Sequence, residues 1–277
     1  MARDLNQHYQ QNTIRNRVFD EDGNFIYVSD ISRDISAGRV ADLAKVDKFG
    51  ETGDGILSAD GLVTVWDGVN DASADKVYTY TATASIDKLS SSDDTDTQTI
   101  EITGQGTDNV EVVQTVTLTG QTKATLGTPL MRVYRMKNTG ATTLAGSVYC
   151  YEDGTISGGV PTTDATIKAL ITPPNNQTLM AIYTIPAGCT GYIHGYNVDI
   201  TSRVAGFIHG HLFIREPGGV FQTKRTFTLS TTGTSNVFIP FYRPQKVLEK
   251  SDIEFMVEST ANSMGCGVNF PIDLETN

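Results

Sequence analysis

The string QTIEITGQ at residues 98–105 returns, little changed, as QTVTLTGQ at residues 114–121. Apolar and polar residues alternate in both copies, with Ile100 and Ile102 in the first and Val116 and Leu118 in the second. Period-two alternation turns one face of a strand toward a core and leaves the other wet. Between the copies, Gly104, Gly106, Asp108 and Asn109 supply turn residues. The spacing predicts a hairpin of 98–103 with 114–119. A hairpin with one apolar face must be covered by a further layer, so the rest of the chain is read for strands.

The first half adds β-type runs at 62–66 (LVTVW), 77–85 (VYTYTATAS), 131–137 (MRVYRMK) and 145–151. Trp66, the only tryptophan, stands beside a β run and ahead of an Asp67-Gly68 turn, the place of a core anchor. Residues 172–176, TPPNN, punctuate strongly and mark a domain boundary. Beyond them the pattern restarts at 179–185, 190–200, 205–215, 221–229, 237–241, 253–258 and 266–274. Short strands at regular spacing are the signature of a sandwich. The expected fold is all-β, with two β-sandwich domains (Ig-like or jelly-roll-like) at 49–172 and 175–277. An N-terminal arm, 1–48, precedes them. Within the arm, 6–17 is Gln/Asn-rich and too polar to order without a partner. Residues 25–28 read as a short strand. Residues 30–46 read as the one short helix, with Ile35, Val40, Leu43 and Val46 near helical spacing and Asp34 or Ser36 at its start.

The chain has 277 residues, 39% of them apolar, enough for two cores. No run of about 18 apolar residues exists, so no helical membrane span is expected. The first residues, MARDLNQHYQQ, lack the apolar stretch of a secretory signal, which points to synthesis in the cytosol. Net charge is −11, which argues against a nucleic-acid partner. The charge is uneven. Residues 85–122 hold seven acids against Lys88, whereas the first 18 residues carry Arg3, Arg15 and Arg17 against Asp4. Such a distribution suits docking by the arm, or simply a solvated surface. Cys150, Cys189 and Cys266 are widely spaced and odd in number, and are expected as free, mostly buried thiols.

No phosphate-cradling loop, nucleophile elbow or HExxH motif occurs, and no catalytic residue or cofactor is assigned. His209 and His211 lie two apart on an expected strand and share a face. With His194 on a neighbouring strand they form a candidate three-histidine metal site. The competing reading is satisfied or interfacial histidines, since Phe207 and Phe213 occupy the same face. The acidic stretches 90–96 and 20–24 offer oxygens for Ca²⁺ but lack EF-hand spacing, and solvated turns account for them. Tyr196, Phe241 and Tyr242 are candidate sugar platforms or core residues.

Taken in order, FG at 49–50, TVWDG at 64–68, LSSS at 89–92, DTQTI at 96–100, QTVTL at 114–118, GQT at 120–122 and RVYR at 132–135 resemble a family of structural proteins of tailed, mostly marine, bacteriophages. QTLM at 177–180 and YTIPAG at 183–188 resemble the opening of the β-sandwich that often follows. The resemblance implies a virion protein with no catalytic residues to carry over. It leads to the expectation of a homo-oligomeric capsid decoration or cement protein, a homotrimer held to the major capsid protein by its arm. The alternative is a tail, neck or fibre component whose C-terminal sandwich binds a host glycan. A non-viral secreted lectin-like module is the third reading, and the missing signal stands against it.

Overall fold

The computed structural model describes residues 17–19, 25–27, 31–201, 204–231 and 236–277. The expectations for residues 6–16 and for the acidic stretch at 20–24 lie outside them. Two short strands, β1 (Arg17–Phe19) and β2 (Phe25–Tyr27), pair antiparallel, and one helical turn and a half, α1 (Ile31–Ser36), follows.

The expected helix over 30–46 is thus cut short. Gly38 takes a left-handed conformation at φ 66°, and its amide bonds back to Ile35 O, which closes the helix. Of the remaining apolar positions, Val40 lies in the bend that follows, and Leu43 and Val46 become part of a strand, β3 (Leu43–Glu51). There Val46 sits opposite Ile272 and Ala44 opposite Leu274. Residues 43–48 therefore belong to a sheet, not to an arm, because the last strand of the chain offers them a hydrogen-bonded edge.

The next strand, β4 (Val63–Thr64), is short. Then come β5 (Ile86–Ser91), β6 (Thr99–Gln105), β7 (Glu111–Thr117), β8 (Ala124–Leu130), β9 (Arg132–Asn138) and β10 (Val148–Glu152). A small hairpin of β11 (Ile156–Ser157) and β12 (Val160–Pro161) leads to β13 (Ile167–Ile171). The predicted hairpin is β6–β7, with Ile100 opposite Val116 and Ile102 opposite Gln114. Asn109 adopts φ 58° in its turn, a conformation that asparagine tolerates. These strands make a four-over-three sandwich, with sheets in the order β13-β10-β5-β8 and β7-β6-β9. Residues 77–85 form no strand. Side chains take their backbone groups instead: Thr64 Oγ1 accepts from Tyr78 N at 2.8 Å, and Lys168 Nζ donates to Thr79 O at 3.0 Å.

The second half supplies β14 (Ile182–Thr184), β15 (Cys189–Ile200), β16 (Phe207–Arg215), β17 (Gln222–Ser230), β18 (Asn236–Val247), β19 (Asp252–Ser259) and β20 (Cys266–Thr276). Counted with β3 as the first of eight, they form sheets in the order β18-β15-β20-β3 and β14-β19-β16-β17. That order is 6-3-8-1 over 2-7-4-5, the strand order of a jelly roll. β4 continues the edge beside β19, with Thr64 opposite Met256. Tyr196 fills the middle of this sandwich. Its ring meets Phe255 at 4.9 Å, Phe241 at 5.6 Å and Phe227 at 5.8 Å, joining the two sheets. Gly210 leaves room for the Phe227 ring, which a Cβ there would approach to 1.9 Å.

The first sandwich is consequently an insertion between the first and second strands of the jelly roll. The boundaries at 49 and 172 divide the chain in sequence, but β3 and β4 lie before the insertion and pair with strands after it. The exit and the return are zipped together. Ala181 N donates to Val65 O at 2.8 Å and Asp67 N to Leu179 O at 2.9 Å, with Trp66 bridged to Met180 between them. Trp66 is 1% exposed and packs edge-on to Tyr78, so it anchors the neck of the insertion. One connected apolar core runs through both sandwiches.

Candidate functional site

The two sandwiches meet at a buried ionic cluster. Asp252 opens β19, where the strand backbone fixes its direction under the insertion. Arg132 reaches it from β9, Nε to Oδ1 at 2.9 Å and Nη2 to Oδ2 at 3.3 Å. Arg215, opposite Asp252 in the sheet register, donates to Oδ2 from Nε at 3.0 Å and from Nη2 at 2.6 Å. Thr184 Oγ1 donates to Oδ1 at 2.6 Å. The Tyr80 ring lies against both guanidiniums, 5.0 Å from Arg132 Cζ and 4.5 Å from Arg215 Cζ. Both cations thus gain an aromatic face as well as a carboxylate.

Glu254 lies two residues along β19, on the same face, and is equally buried. Thr64 Oγ1 donates to its Oε1 at 2.5 Å and Tyr80 OH to its Oε2 at 3.1 Å. Burial pushes its carboxyl up to about 7, against those hydrogen bonds and the Arg215 charge. Burial also raises the Tyr80 hydroxyl well above the ordinary phenol range. Arg132 is held above its usual value by its bond to Asp252 and the Asp252 charge, which outweigh desolvation.

A cavity of about 420 Å³ opens beside the cluster, walled by Tyr80, Arg132, Arg215, Gly218, Lys250 and Asp252. Asp252 spends both oxygens on five donors, so it has little capacity left to act as a base. What the cluster does chemically is hold β9 of the insertion to β14, β16 and β19 of the jelly roll.

The three histidines are divided between the sheets. His209 and His211 share the outer face of β16, as their spacing requires, and His209 Nδ1 is 2.9 Å from Thr228 Oγ1. His211 stacks on Phe213 at 5.5 Å. His194 lies on β15 in the opposite sheet and is paired with Asp273 at 2.9 Å. The jelly-roll crossing separates strands that sequence order made neighbours, and no metal-binding group of three such side chains forms among the described residues. In the stretch 90–96, Asp96 is buried and accepts from Ala145 N, Gly146 N and Ser91 Oγ. Asp93 accepts from Thr95 N and Oγ1. Those oxygens organise a turn. Tyr196 is core and Phe241 packs against it, but Tyr242 is 99% exposed. The three cysteines are free, two of them buried.

Sequence reading did not find Arg132, Arg215, Asp252 and Glu254 as a group. Arg132 and Asp252 are 120 residues apart, and each sits in an ordinary strand pattern. Fold and junction together define an all-β protein of β-sandwich character, a jelly roll that carries a second sandwich locked to it by buried charge. No family model matches the chain, and no curated protein sequence matches it.

Proposed function

We propose that the protein is a structural component of a tailed-bacteriophage virion, a homo-oligomer, most plainly a trimer, that decorates the head and clamps major capsid subunits. The observation that carries this reading is the outer face of the jelly roll. Edge strand β18 displays Phe238, 54% exposed, and Tyr242, 99% exposed, next to the β15 face that carries Tyr192 and His194. Aromatic rings presented on a rigid sheet are the usual anchors of a protein interface. Pro240 and Pro244 interrupt the same strand, which discourages continuous edge-to-edge pairing and favours contact through side chains. The junction suits this work too, because a clamp transmits load only if its two sandwiches move as one body. The protein is made in the host cytoplasm and ends in the particle, with the segment ahead of β3 as its tether.

The exposed Tyr242 ring also favours a second reading, a tail, neck or fibre component that stacks a host-surface sugar on that face. Quantitative mass spectrometry of purified particles separates the two. Copies comparable to the coat protein support decoration, and a small fixed complement supports the tail. Absence from particles defeats both. Deleting residues 1–30 tests the tether, since retained particle binding would remove it from the account.

A further inference from the structure

On the other side of the junction, β3 of the jelly roll faces β6, β7 and β9 of the insertion across a cavity of about 500 Å³. Lys48, Arg135, Tyr134, Tyr183 and Glu111 are on its wall. Lys48 is 6% exposed. Its ammonium donates to the Tyr134 carbonyl and lies 5.8 Å from the Tyr134 ring centre. Among the described residues no carboxylate comes within ion-pair distance of it, while Arg135 is near enough to act on it by charge. The acids on the wall are otherwise engaged: Glu111 accepts from Tyr134 OH at 3.3 Å, and Asp47 pairs with Lys45 at 3.3 Å. The Tyr183 hydroxyl is buried, and among the described residues it makes no hydrogen bond of ordinary geometry.

Lys48 and Arg135 thus share a cavity wall, and among the described residues neither has a carboxylate within ion-pair distance, Arg135 donating instead to Gln177 Oε1 at 3.2 Å, in a chain of net charge −11. Buried charge is ordinarily paired, and an unpaired donor costs free energy that a ligand can recover. The volume is that of a small-molecule site. We propose that this cavity binds a small organic anion, whose carboxylate or phosphate group sits against Lys48 and Arg135. Burial, and then the Arg135 charge, push the empty-site ammonium down to about 7, and a bound anion restores its proton. Affinity therefore falls as pH rises above neutrality. The acids that face the site, Glu111 and Asp47, oppose an anion, so the ligand is expected to be compact.

Isothermal titration of the full chain at pH 6.5, with phosphate, citrate and acetate at constant ionic strength, tests the site. Saturable one-to-one binding of at least one of them is expected. Lys48→Met and Arg135→Gln should each weaken it about tenfold or more. Arg135 is exposed, so its variant folds even where a Lys48 substitution does not. A third measurement needs no variant. Lys48 labelled by acetic anhydride, read by mass spectrometry, should be protected by the same anion that titrates. Failure of all three anions to bind saturably, binding undiminished in Arg135→Gln, or labelling of Lys48 unchanged by a bound anion would each overturn the proposal.

Discussion

Arg132 and Asp252 face each other across the boundary between two sandwiches, guanidinium to carboxylate at 2.9 Å, with side chains only 11% and 5% exposed. Neither residue is held by its own sandwich alone. Removing the acid leaves Arg132 and Arg215 buried together without their anion. Asp252→Asn is expected to lower unfolding free energy by about 3–5 kcal/mol, the cost of a broken buried ion pair. Urea denaturation measures it. A midpoint equal to wild type would mean that the cluster does not hold the junction.

Glu254 sets a pH dependence of definite sign. Its carboxyl titrates near 4.5 when unfolded and near 7 when folded, so folding favours the protonated form. The stability it lends is complete below about pH 4.5, declines as pH rises toward 7, and is gone above that. Glu254→Gln should remove this decline and narrow the gap between pH 5 and pH 8 by an amount of order 3 kcal/mol at most. Thermal melts of both proteins across that range are the measurement. Parallel profiles would contradict the assignment.

Gly50 marks where β3 passes the neck of the insertion. A Cβ there would lie 2.2 Å from Ala181 N and 2.5 Å from Val65 O, two backbone atoms that the neck hydrogen bonds hold in place. Gly50→Ala is expected to destabilise by about 3 kcal/mol, because neither strand can withdraw without breaking its ladder. Gly106→Ala, whose Cβ would meet only the Val112 side chain at 3.8 Å, is the mild control. Equal denaturation midpoints for the two variants would refute the close approach.

Phe238 and Tyr242 bear on the proposed assembly. The Tyr242 ring projects from β18 into solvent and Phe238 is half-exposed beside Gly195, so Phe238→Ser with Tyr242→Ser should lower unfolding free energy by no more than about 1 kcal/mol. The same double variant should shift self-association or particle binding by about tenfold or more, the weight of an aromatic anchor. Sedimentation velocity and particle co-sedimentation read the effect. An unaltered oligomer that still binds particles would move the interface elsewhere.

The chain's local patterns were legible residue by residue. Ile100, Ile102, Val116 and Leu118 announced the β6–β7 hairpin, and alternation located all seven strands after residue 179. Other strands were hidden, three of them for local reasons that can be named. β8 contains Gly127 and Pro129, β13 is buried on both faces with Lys168 in its middle, and β5 reads IDKLSS, with too few β-branched residues. The candidate site was not legible at all. Each of its charged members sits in a strand that would read the same without the others.

Alternation of side chains within a strand is written in a few neighbouring residues, so the sequence alone determined that this is an all-β chain with a hairpin at 98–119 and a run of strands at its end. Which strand lies beside which depends on contacts between residues far apart, and many strands here carry the same alternation. Only the tertiary structure decided that residues 43–51 complete the sheet of the last strand. It alone placed the first sandwich inside the jelly roll, with Arg132 against Asp252. The physical reason is that hydrogen-bonded edges are interchangeable in pattern, and burial and charge across the closed fold choose among them.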